Sequence, residues 1–127
     1  MKMRSRHNEG GAETNRFGGY GFSIDRTTYD AKREPFHNTH DQSKSGSVPK
    51  IGTKEYHTVR FTVKDEGNTV VQVASLDGKE VMKKVDTAPK SYMTNKASFA
   101  QQSYLWVRQN AAGNAELRIK RLRILKA

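Results

Sequence analysis

The stretch that decides the fold is residues 55–81, EYHTVRFTVKDEGNTVVQVASLDGKEV. Its first part alternates, with His57, Val59, Phe61 and Val63 on one side and Tyr56, Thr58, Arg60 and Thr62 on the other. A period of two carried by β-branched and aromatic residues predicts a half-buried strand over 56–63. Residues 64–68 are expected to turn, because Gly67 and Asn68 accept the left-handed backbone that tight loops need. Residues 69–76 are again β-rich, and Asp77-Gly78 is a strong signal for a second hairpin into a third strand. The stretch reads as an antiparallel meander.

Working outward, residues 3–8 (MRSRHN) alternate into a short strand with one strongly basic face, ended by Glu9-Gly10-Gly11. Residues 17–24 (FGGYGFSI) put Tyr20, Phe22 and Ile24 on one side, and their glycines admit close approach of another backbone or a ligand. These glycines lack a following Lys-Ser/Thr, so a phosphate-binding P-loop is a poor reading. Residues 25–52 are polar, without clear period, and hold Pro35, Gly46, Pro49 and Gly52. They are expected to form a long flexible loop, either crossing the mouth of a site or serving as a plain surface excursion.

Beyond the meander, residues 83–100 read as a weakly patterned connection broken by Pro89 and Asn95. Alternation returns at 104–109, with Tyr104, Trp106 and Arg108 on one side and Leu105 and Val107 on the other. A last strand is expected over 116–125, its register slipping at Lys120-Arg121 as a bulge would make it. No apolar pattern repeats at the helical period. The expectation is one all-β antiparallel domain spanning residues 1–127.

Composition sharpens this. Hydrophobic residues make up 34 % of the 127, and mean hydropathy is -0.88, so the core is thin or completed by another chain. Antiparallel sheets with one wet face are economical in apolar residues. The absence of cysteine excludes disulfides and thiolate metal sites. No apolar run follows the basic start MKMRSRHNEGG, so neither a signal peptide nor a membrane span is expected within this chain. Twenty-three Lys and Arg against thirteen Asp and Glu give a net charge of +10, which concentrates anions such as nucleic acid, acidic polysaccharide, anionic lipid or an acidic protein.

The succession Gly-Tyr-x-Phe, a long loop, Glu55-Tyr56-His57-Thr58-Val59-Arg60-Phe61-Thr62-Val63, Gly67-Asn68-Thr69-Val70, Asp77-Gly78-Lys79, Tyr104-Leu105-Trp106-Val107-Arg108 and a closing Glu-Leu-Arg-Ile-Lys-Arg-Leu-Arg-Ile resembles the second half of concanavalin A-like (laminin G-like) jelly-roll domains. The likeness runs over residues 17–125 and is nearest to the group of glucanases, polysaccharide lyases and keto-disaccharide hydrolase-like proteins. It implies a jelly-roll-like β-sandwich, carbohydrate as ligand, and an extracellular or cell-surface location. Members of that family run longer at the N-terminus. The sandwich here is therefore expected to be minimal or completed by a partner chain or a second copy, through an open sheet edge.

Candidate chemistry follows from residue types. The glucanases' Glu-x-Asp-x-x-Glu cluster is missing, and Asp65, Glu66, Asp77, Glu80, Glu9 and Glu13 sit mostly in turns rather than as a pair flanking a glycosidic bond. The lyase-type signatures are also not visible. His37-x-x-His40-Asp41 lacks a further ligand, so no metal and no cofactor is expected. The ligand-binding set is Arg4, Arg6, His7, Tyr20, Tyr104, Trp106 and Arg108: aromatic rings can stack on sugars and arginines can meet acidic groups. The expected function is a lectin-like module for an acidic polysaccharide or other polyanion. The alternatives are an assembly subunit meeting partner chains or nucleic acid through its basic face, and a lyase or hydrolase domain.

Overall fold

Side chains of a strand point alternately to the two faces of its sheet, so an inward row must find a second inward row to pack on. The computed structural model describes residues 1–9, 17–34, 41–52, 54–94, 102–106 and 118–125. Among them are β1 (Lys2–Glu9), β2 (Phe17–Ile24), β3 (Thr28–Glu34), β4 (Asp41–Ser47), β5 (Val59–Glu66), β6 (Thr69–Leu76), β7 (Lys79–Asp86) and β8 (Gln102–Trp106), with a single 3-10 turn, Ser91–Met93. All pairings are antiparallel. One sheet has the order β4-β3-β2-β1-β8 and the other β5-β6-β7. The all-β antiparallel architecture expected from the alternation is the one the chain adopts. β1 to β4 follow one another in the first sheet and β5 to β7 in the second, and β8 returns to the first to pair with β1.

The two inward rows meet as a sandwich. Phe22, Ile24, Tyr29 and Ala31 from the first sheet pack against Ala74, Leu76 and Met82 from the second. The Phe22 ring stacks on Phe61 at 5.6 Å between centroids, joining β2 to β5. Towards the other end, Tyr20, Val63, Val70 and Met93 form a smaller cluster. Val48, from the segment after β4, is also buried, and its amide donates to Thr27 O at 2.9 Å.

The turns obey backbone chemistry. Asp77 and Gly78 both take positive φ (50° and 83°), the pattern of a type I′ hairpin between β6 and β7. Glu66 pairs with Thr69, so the β5–β6 loop is only Gly67-Asn68, with positive φ at Gly67 but not at Asn68. Between β2 and β3 the Asp25 carboxylate accepts from the Thr27 and Thr28 amides at 3.0 and 2.9 Å, and these bonds hold its pKa below the usual carboxylate range.

Several expectations change. The strand predicted over 56–63 begins three residues later and continues through Lys64, Asp65 and Glu66. The 25–52 region is not one flexible loop, because it contains β3 and β4. The inward row of β3 is Tyr29, Ala31 and Arg33, one of them small and one charged, which hides the hydrophobic period. β4 buries no apolar side chain and is held by its ladder to β3 and by polar cross-links. The start of the connection read over 83–100 is the second half of β7.

The closing strand is also corrected. Residues 118–125 lie in no strand and are exposed. The slip at Lys120-Arg121 puts apolar residues on both sides of an extended chain, so no single face can be buried against a sheet.

Candidate functional site

The β1–β8 ladder brings together the two ends of the sequence that carry the expected ligand set. Arg4 pairs with Tyr104, Lys2 with Trp106, and His7 with Gln102. Met3, two positions along from the chain start, pairs with both Phe22 and Leu105 and packs on the core. Arg4, Tyr104, Lys2 and Trp106 therefore hold the register positions of the opposite face. The ladder is irregular between Arg4 and His7, and Arg6 falls in that irregular stretch. Arg108 lies outside the described residues, as do His37 and His40.

Tyr20 does not join this surface. It sits on the inward row of β2, fully buried, and its hydroxyl donates to Asp86 Oδ2 at 2.8 Å. Its ring is a core element, not a platform for a ligand.

That hydroxyl belongs to a polar network the sequence reading missed. Arg33 Nη1 donates to Asp86 Oδ1 and Oδ2 at 3.2 and 3.1 Å and to Ala88 O at 3.0 Å. The same guanidinium reaches Asp41, with Nε donating to Oδ1 at 2.7 Å and Nη2 to Oδ2. Gln42 Nε2 and the Ala88 amide each donate to Asp86 Oδ1 at 3.1 Å. Burial is the largest single influence on the Asp86 carboxyl and opposes its charge. Bonds from Gln42, Tyr20, Ala88 and Arg33 outweigh it and hold the pKa below the usual range.

Next to this network, Gln72 and Lys84 face each other across β6 and β7. The Gln72 amide and Lys84 Nζ are buried with no hydrogen-bond partner among the described residues. Burial pushes the Lys84 pKa down, against the attraction of Asp86 and Asp41. The only sequence signal for this band is parity: Lys84 and Asp86 share the inward row of β7 with Met82, in a stretch whose charge masks the alternation.

The chemistry available here is limited. A general acid needs a carboxyl whose proton is retained near neutral pH. Asp86 is pushed the other way and is sealed from solvent. No group of three or more His, Asp or Glu residues that would hold a metal occurs among the described residues. An open recess of about 370 Å³ is lined by Asp65, Asn68, Thr69, Thr87, Ser91 and Thr94 among others, with no aromatic side chain for a sugar to stack on.

At a separate corner, His57 Nδ1 lies 2.8 Å from Asp77 Oδ2, and the Thr58 amide donates to Asp77 Oδ1 at 2.8 Å. The bond to Asp77 raises the His57 pKa, and the same bond lowers that of Asp77. No family model, curated protein or solved structure matches the chain.

Proposed function

We propose that this chain is a carbohydrate-binding module for an acidic polysaccharide, related to the concanavalin A-like jelly-roll domains that its sequence resembles. The observation that carries this is the β1–β8 register, which sets Arg4 beside Tyr104 and Lys2 beside Trp106. Alternating cations and aromatics on neighbouring strands suit a polymer that offers both sugar faces and carboxylate or sulfate groups. The +10 charge of the whole chain adds attraction at longer range.

Catalysis is no part of the proposal, since the one buried carboxylate with a shifted pKa among the described residues favours its charged form. An extracellular or cell-surface location accompanies the proposal.

Affinity electrophoresis against a uronate polymer, a sulfated polymer and a neutral glucan tests it. Retardation by the acidic polymers should fall in Trp106→Ala and in Arg4→Ala, and should weaken steeply as salt rises. Equal retardation by the neutral glucan, or binding unchanged in both variants, would count against the reading.

A further inference from the structure

Six large apolar or aromatic side chains are exposed among the described residues; four of them fall within residues 118–125, and a fifth, Tyr56, lies beside that segment. Ile119, Leu122, Ile124 and Leu125 are 52–75 % exposed within one short segment. Lys120 Nζ lies 5.7 Å from the centroid of the Tyr56 ring, which sets this segment beside the fifth member, the exposed Tyr56. Concentrated apolar exposure on a surface marks an interaction site. Here it is interleaved with Arg118, Lys120, Arg121 and Arg123, and residues 118–125 contain no acidic side chain.

From this combination we infer that residues 118–125, with Tyr56, form a docking surface for an anionic lipid bilayer. A soluble polyanion would satisfy the cations but offers the isoleucines and leucines no apolar medium. A second copy of this chain would bring another +10 of charge to an already basic surface. An anionic bilayer supplies both components. Headgroups attract the arginines and Lys120, and the acyl boundary takes the aliphatic side chains. A tyrosine at the rim suits the interface, where its ring is half in the apolar layer and its hydroxyl stays wet. The segment lies on the surface without spanning the bilayer, in keeping with the lack of any long apolar helix among the described residues.

Co-sedimentation with phosphatidylcholine vesicles, with and without about one-third phosphatidylserine, tests the inference. Binding is expected only with phosphatidylserine, weakening as salt rises. Arg121→Ala and Arg123→Ala should each cost about fivefold in affinity. Leu122→Ser/Ile124→Ser keeps every charge and should still cost about tenfold or more. These side chains are exposed, so the variants should melt as the parent does. Trp106→Ala should leave vesicle binding in place, which separates this surface from the proposed polysaccharide site.

Three results would overturn the inference. One is failure to bind phosphatidylserine vesicles. Another is binding indifferent to Leu122→Ser/Ile124→Ser, since that would reduce the contact to charge alone. The third is a dimer in solution that the same double variant dissociates.

Discussion

Asp86 is the residue on which the interior depends most. One fully buried carboxylate accepts from Tyr20, Arg33, Gln42 and the Ala88 amide. Removing it takes one of two carboxylate partners from the mostly buried Arg33, which keeps Asp41. It also leaves the Tyr20 hydroxyl, the Gln42 amide and the Ala88 amide without their acceptor. Asp86→Ala should destabilise the fold by about 3–5 kcal/mol, a large share of a small domain's total, as measured by urea unfolding. Tyr20→Phe removes a single hydroxyl and should cost about 1 kcal/mol. Gln72 presents the reverse case. Its amide is buried without partners, so Gln72→Met keeps the volume and removes the unsatisfied groups. The variant should gain about 1–2 kcal/mol in the same assay. Neither Asp86 nor Gln72 was legible beforehand, and Tyr20, read on one side of its strand with Phe22 and Ile24, was expected to meet a ligand rather than Asp86. A charged or amide residue at core parity resembles an outward residue until its cross-sheet partner is known, and Tyr20 lies 66 residues from Asp86 in the chain.

At the scale of elements, the turns and the close packing of strands set the limits. Gly46 on β4 lies beneath Tyr29, where an added Cβ would come within 2.7–2.9 Å of a buried ring. Gly46→Ala should therefore lower stability by about 1–3 kcal/mol. Gly78→Ala meets no neighbour but must adopt φ +83°, and should cost about 1 kcal/mol in thermal melts.

The β6–β7 turn is also tied to the entry of β5 by the His57–Asp77 pair. Because the folded-state pKa of His57 is raised, its contribution is complete below the ordinary value of 6.5 and fades as pH climbs through the elevated one. The Asp77 contribution holds above its ordinary 3.8 and is lost on acidification through its lowered value. Melting temperature should thus decline as pH rises above the ordinary imidazole value of 6.5 and through the raised one, and Asp77→Asn should flatten that decline. A slope unchanged in the variant would place the titration elsewhere.

Elements with apolar alternation were readable: β2 and β6 fall where the sequence puts them, and Asp77-Gly78 makes the expected turn. β4 was not, since DQSKSGS has no apolar residue to reveal a period.

Over the whole molecule, the two sheets are held together by an apolar layer and, along one side, by a polar cross-link. Arg33 reaches across 53 residues of chain to Asp86, and Lys44 Nζ reaches Lys83 O at 2.7 Å across 39. The sandwich itself could be anticipated from alternation, but its division into five and three strands depended on β3, β4 and β8 choosing their neighbours. That choice is made by register and by these long-range contacts rather than by any local pattern. The Arg33 bridge has a kinetic consequence. Closing so long a loop is favoured once the sheets hold its ends together, so the bridge is expected to form late, after the rate-limiting barrier. In stopped-flow traces, Asp86→Ala should leave the refolding arm nearly unmoved and put almost the entire loss into faster unfolding. The bridge would then act as a latch, governing how long the native state survives and not how quickly it is reached.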